Sequence, residues 1–319
     1  MSAAIRACIL DVLSCLTPSS QTMSIIRKVL VGLVAFIALL AAGVFGFSSY
    51  RMAQTMAFTD AAPAITTDST TIARGRYLAT AISKCTDCHG ADLGGKLAID
   101  AGPVGTIYAP NLTSGAGSGI AGRSDADLVH AVRHGLGPGG RKLRFMPSVD
   151  WYVMSDADVG AIIAYVRSVP PVERTVPPSV IKPLGRALYV AGQLPLFDAE
   201  LFDHAAPRPP APAPGVTAEY GQYLAQIGGC TGCHGPGLSG GRIPGTPPEI
   251  KAAANITPEG IGHYTEADFF RALREGKRPD GSAIDPFMPW SLTKLMTDDD
   301  TRALWQFLMT VPRKPFGGR

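Results

Sequence analysis

The sequence predicts an all-α protein in which one long apolar helix precedes two tandem helical repeats. Three observations carry that expectation. Val29 to Phe47 is a 19-residue run without a charge. A C-x-x-C-H pattern occurs twice, at Cys85-Thr86-Asp87-Cys88-His89 and, 145 residues later, at Cys230-Thr231-Gly232-Cys233-His234. Segments with helix-capping signals then follow each pattern in the same order and at nearly the same spacing.

The apolar run spans about 28 Å as a helix, close to one hydrocarbon core. Arg27 and Lys28 precede it and Arg51 follows, which favours a cytoplasmic amino terminus and an uncleaved anchor over residues 23–52. Met23-Ser24-Ile25-Ile26-Arg27-Lys28 reads as the natural start of such a segment, so residues 1–22, with Cys8 and Cys15, are expected to be an extension outside the mature protein. Residues 53–67, rich in Ala and Thr, read as a tether that places the body beyond the membrane.

Composition narrows the classes further. Charged residues are 17% of the chain, with 36 Gly and 27 Pro, which suits small loop-rich domains. The net charge of +3 resides in residues 1–52, where Arg6, Arg27, Lys28 and Arg51 face one acid, Asp11. The rest of the chain is balanced, and no basic run suggests nucleic acid.

C-x-x-C-H is the attachment pattern of a c-type haem. Two thiols at this spacing can add to the two vinyl groups of one porphyrin, and the next residue can offer an imidazole to the iron. A zinc half-site and a thiol-disulfide pair are the competing readings of a lone C-x-x-C. Duplication inside a longer repeat favours haem, so Cys85, Cys88, Cys230 and Cys233 are expected to bind two covalent haem c groups, with His89 and His234 on the irons.

Around each motif the repeat can be followed element by element. Residues 71–82 have helical spacing, with Tyr77, Leu78, Ala81 and Ile82 on one face, and lead into Cys85. Tyr220-Gly221-Gln222-Tyr223-Leu224 matches Arg74-Gly75-Arg76-Tyr77-Leu78. A long loop is expected after His89, and Asn111-Leu112-Thr113 within it returns as Asn255-Ile256-Thr257. Ser124 and Thr265 open one pair of capped helices, and Ser155 and Thr297 open another. Between them lie Phe145-Met146-Pro147 and Phe287-Met288-Pro289. Residues 68–172 and 217–316 are thus two domains, joined by a linker over 173–216 whose Ala205–Pro214 stretch favours polyproline II. The apolar segment around Leu184 to Phe197 is expected to pack across the domains or against a partner.

Each repeat offers two methionines in register, Met146 with Met288 and Met154 with Met296, and the 142-residue offset does not choose between the pairs. Met154 precedes the cap Ser155 and reads as a staple against Val159. Met146 and Met288 precede prolines that stiffen the local backbone. Trp151, Trp290, Tyr108, Asn111 and Asn255 read as packing or loop-ordering residues, and His130, His134 and His263 as surface residues near helix ends.

The order of helix, haem motif, loop, helix, methionine loop and helix resembles the class I cytochrome c domain, twice over. That resemblance implies Met146 and Met288 as distal ligands, giving irons closed on both faces. The whole body resembles membrane-anchored dihaem cytochromes c, and is similar to the cytochrome c subunits of bacterial periplasmic alcohol, aldehyde and gluconate dehydrogenases. The function so implied is single-electron transfer from a dehydrogenase or a quinol-oxidising complex toward an oxidase or a soluble cytochrome, at the periplasmic face of the inner membrane. A dihaem peroxidase, which needs an openable haem, is the alternative.

Overall fold

The computed structural model describes residues 20–57, 62–247 and 249–318. Cys8, Cys15 and most of the expected extension over 1–22 lie outside the described residues. The chain divides into two units at Arg51/Met52. In its described part the first unit is helical, belonging to α1 (Ser20–Ala53). From Met23 onward this helix is long and apolar enough to cross a membrane, and none of its most apolar window is covered by protein.

The second unit holds both repeats. In the first, α2 (Ser69–Tyr77) continues through a wider π-type turn at Leu78–Ile82 into α3 (Cys85–His89). After α3 the chain departs from the all-α expectation. β1 (Lys96–Asp100) and β2 (Gly105–Ala109) form an antiparallel hairpin where a featureless loop was expected. Leu97 pairs with Tyr108 and Ile99 with Ile107 across a bulge between them, and the linker supplies a third strand, Val180–Ile181, on β2. Three further helices complete the first repeat: α4 (Asp125–His134), α5 (Ser148–Trp151) and α6 (Asp156–Ser168). The linker carries α7 (Pro183–Val190). The second repeat runs α8 (Ala218–Ile227), α9 (Cys230–His234), α10 (Pro258–Ile261), α11 (Glu266–Glu275), α12 (Trp290–Thr293) and α13 (Asp298–Thr310).

The predicted caps are present. Ser124 accepts from the Asp127 amide and Asp127 returns the bond, a capping box repeated by Thr265 and Asp268. Ser155 and Thr297 accept from the amides of Asp158 and Asp300. Within each repeat the first and last helices cross closely, and a glycine makes the crossing possible. A Cβ on Gly75 would stand 1.8 Å from the Ala161 carbonyl oxygen, and one on Gly221 would stand 1.9 Å from that of Ala303.

The repeats share one core. Leu78, Ile82, Val129 and Ile163 of the first pack in the same cluster as Leu224, Ile227, Phe269 and Leu308 of the second. Two tyrosines are exchanged across the join. Tyr77 donates to Asp300 at 2.6 Å and accepts from the Thr297 amide at 3.1 Å. Tyr223 donates to Asp158 at 2.7 Å and accepts from the Ser155 amide at 3.1 Å. The linker's Ile181, Tyr189, Leu196 and Phe197 instead form a second cluster with Ile107 of the hairpin. Within the segment read as a tether, the Met56 amide donates to the Gly140 carbonyl at 2.9 Å.

Because the glycine crossings leave no room for a methyl group, Gly221→Ala is expected to destabilise the protein by about 1–3 kcal/mol. A denaturant titration that leaves the midpoint unchanged would contradict the crossing.

Candidate haem-attachment sites

Each C-x-x-C-H forms a single helical turn bracketed by unusual backbone. Lys84 and Gly229, just before the turns, are left-handed at φ 52° and 69°. Gly90 and Gly235, just after, lie at φ 85°, ψ 156° and φ 82°, ψ 162°, a region that only glycine enters readily. Leu93 and Leu238 repeat another left-handed position, at φ 54° and 57°. Side chains with a β-carbon resist this region, so its recurrence at matched leucines marks a loop shape that both repeats enforce.

The histidines are buried and oriented by backbone. His89 Nδ1 lies 2.9 Å from the Pro110 carbonyl oxygen, and His234 Nδ1 lies 2.7 Å from that of Ala254. A carbonyl can only accept, so Nδ1 carries the proton and Nε2 is the nitrogen with a lone pair. Burial lowers the His89 pKa against the opposing pull of the Pro110 carbonyl, which favours the neutral imidazole a metal requires.

The loop that supplies each carbonyl is held by the asparagine beside it. Asn111 Oδ1 accepts from the Thr113 amide and hydroxyl, both at 2.8 Å, while Nδ2 donates to the carbonyls of Val172 and Arg174. Asn255 accepts from Thr257 at 2.9 and 2.8 Å and donates to the Lys314 carbonyl. The loop-ordering role read from sequence is therefore observed, with the chain beyond the last helix as the anchor.

Met146 and Met288 are half-buried against the shared core. Pro147 (φ −76°, ψ 57°) and Pro289 (φ −76°, ψ 51°) make inverse γ-turns, closed by amides of Ser148 and Trp290 donating to the preceding methionine carbonyls, both at 2.7 Å. Proline's fixed φ suits this turn in both repeats, although the chain enters it differently, with Phe145 left-handed at φ 52° in the first repeat only. Met154 and Met296, by contrast, are core residues, 1% and 6% exposed.

Sequence reasoning missed one matched pair. Arg133 donates to the Met154 carbonyl and pairs with Asp156, while Arg274 donates to the Met296 carbonyl and pairs with Asp298. Each clamps the end of the methionine loop to the helix before it. The available signal was an arginine two residues ahead of each capping glycine, Gly135 and Gly276. His134 requires a correction. It is buried rather than on the surface, its Nδ1 2.9 Å from Nδ1 of His204, because the linker returns there and Tyr152 stacks at its edge. Glu275 holds the matching place in the second repeat. Trp151 donates across the join to the Ile227 carbonyl at 3.0 Å.

These residues fit haem c better than zinc or a redox dithiol. Among the described residues the four motif cysteines form no disulfide. Thiol oxidoreductases lower a cysteine pKa, whereas here burial pushes Cys85 up to about 12 and raises Cys88 and Cys230 as well. Among the described residues, no three His, Cys, Asp or Glu side chains converge as a metal-ligand cluster. The buried indole Nε1 of Trp290, two residues after Met288, has no acceptor among the described residues.

Comparison with known proteins agrees with this geometry. The cytochrome c family description matches residues 72–170 and 218–312, one match on each repeat. The alcohol dehydrogenase (quinone) cytochrome c subunit of Gluconacetobacter polyoxogenes is 30% identical over 278 residues, covering 78% of this chain and 57% of that protein. The gluconate 2-dehydrogenase cytochrome c subunit of Pantoea cypripedii is 31% identical over 273 residues, covering 76% and 60%. A diheme cytochrome c-type protein of Cereibacter sphaeroides is 27% identical over 257 residues, covering 72% and 82%. The chain belongs to the cytochrome c family, which implies covalently bound haem c and electron transfer. It spans about three fifths of the length of the two dehydrogenase subunits.

Buried Asn111 leaves two donors of Thr113 without an acceptor when truncated. Asn111→Ala is expected to cost about 1–3 kcal/mol of stability, measured by chemical denaturation. An unchanged midpoint would remove Asn111 from the scaffold of the site.

Proposed function

We propose that the protein is a membrane-anchored dihaem cytochrome c that relays single electrons from a dehydrogenase to the respiratory chain. The observation that carries this reading is the matched pair of sites, each with a C-x-x-C-H turn, a carbonyl-held histidine and a Met-Pro γ-turn. Cys85 and Cys88 hold one haem, with His89 and Met146 at its iron. Cys230 and Cys233 hold the other, with His234 and Met288. When bound, such haems supply one-electron chemistry, and methionine ligation raises the potential relative to two histidines.

The chain's own residues do the rest. The carbonyls of Pro110 and Ala254 keep each imidazole in one tautomer and rotation. The γ-turns and the arginine clamps set the methionines from the other side of the sequence. A histidine and a methionine of this chain would both be committed to each iron, which would leave an added substrate no iron site and disfavours peroxide chemistry. The relatives named as dehydrogenase cytochrome c subunits support a dehydrogenase as the electron donor. The α1 span supports anchoring in the inner membrane, with the haem domains over 68–172 and 217–316 on the periplasmic side, where c-type haem is attached.

Two outcomes follow. Met146→Ala and Met288→Ala each convert one of two low-spin His/Met haems to a site that binds carbon monoxide. Met154→Ala instead destabilises the fold by about 2–5 kcal/mol and leaves both spectra intact. The reverse pattern, with Met154→Ala opening a haem, would reassign the ligand. The protein is also expected to stay with the membrane through an alkaline wash. Release into the supernatant would contradict the anchor.

A further inference from the structure

The two haem-attachment turns are matched in shape but not in the charges around them. Thr86 and Thr231 occupy the same place in their turns. Thr231 Oγ1 donates to Asp150 Oδ1 at 3.2 Å, whereas Thr86 Oγ1 is buried with no partner among the described residues. Asp150 belongs to α5 of the first repeat and is 8% exposed. Its counterpart, 142 residues later, is Leu292, which has no charge to return. The other oxygen of Asp150 lies 3.3 Å from where a Cβ on Gly229 would stand.

A cation reaches the same place. Lys84, half-buried just before Cys85, donates through Nζ to the Gly228 carbonyl at 2.8 Å and to the Ile82 carbonyl at 2.9 Å. Its counterpart is Gly229, which has no side chain to send in the other direction. An ammonium and a carboxylate from the first repeat therefore converge on residues 228–231, the entry to the second motif. Asp198, on the linker, is a further acid that interacts with Asp150.

We propose that Asp150 and Lys84 are positioning charges that set the potential of the second repeat's haem apart from that of the first. The proposal rests on both turns carrying haem. Fixed charges in a poorly solvated interior act on a nearby redox centre with little screening. A carboxylate favours the ferric state and lowers the potential, while an ammonium favours the ferrous state and raises it. Both groups act through the surroundings of the second motif, at Gly228 and Thr231.

The test is a spectroelectrochemical titration of the full-length protein in detergent. Met288→His identifies the second repeat's wave as the one that falls, since histidine replaces methionine at the iron. Asp150→Asn keeps an acceptor for Thr231 but removes the charge, and is expected to raise that wave while the other moves less. Lys84→Gln is expected to lower it, and Asp150→Glu to leave it near the native value. Opposite shifts in one wave are not produced by loosened packing, which would move both variants the same way. The proposal is overturned if the two variants shift that wave in the same direction, if neither shifts it, or if both waves move equally. Should Asp150→Asn fail to fold, Lys84→Gln alone decides, because an unchanged or raised second wave overturns the proposal. A mass corresponding to one haem in the native protein would mark failure of the dihaem reading instead.

Discussion

Tyr77 and Tyr223 are exchanged between the two repeats, across the core that the repeats share. Each hydroxyl donates to an aspartate in the first turn of the other repeat's last helix and accepts from the amide of that helix's cap residue. A buried carboxylate is costly to leave unpaired; Asp300 is met by Tyr77, and Asp158 by Tyr223 together with Arg74. The last helix of each repeat is in turn pressed on its own first helix at Gly75 or Gly221. Tyrosine and glycine lie on the same first helix, so crossing and exchange hold the two repeats in one core. The C-x-x-C-H turns start a few residues further along those helices, and their separation is set by the same packing. Electron exchange between two haems depends steeply on distance, so a fixed join is a functional requirement as well as a structural one.

Much of this was legible from sequence because the signals are local. Ser124, Ser155, Thr265 and Thr297 announce helix starts within four residues. Met146-Pro147 and Met288-Pro289 announce stiff turns, and the inverse γ geometry is what a proline at that position favours. The duplication then turned each local signal into a pair. What was not legible depends on partners distant in the chain. The strand Lys96–Asp100 is too short to stand alone and needs β2 and, beyond it, Val180–Ile181. His134 resembles an exposed helix-end histidine until His204 arrives from the linker, 70 residues away. The tyrosine exchange was equally hidden, since helical spacing gives Tyr77 a face but not a partner. Arg133 and Arg274 had a readable register, and only the fold reveals that they clamp the methionine loops.

The repeat also shows where two copies of one design diverge. Histidine orientation, asparagine bracing, γ-turns and arginine clamps are kept in both. Lys84 against Gly229, Asp150 against Leu292 and His134 against Glu275 are not. The kept features all brace the loops that carry the motif histidines and the Met-Pro turns, and two of the three departures alter charge at the join between the repeats.

Two haems, each closed by protein on both faces, are what the proposed relay requires. A coulometric titration of the purified full-length protein, followed optically and repeated under carbon monoxide, tests it most directly. Two electrons per chain, low-spin spectra throughout and no change on adding carbon monoxide are expected. Uptake of one electron per chain, or a native haem that binds carbon monoxide, would contradict it.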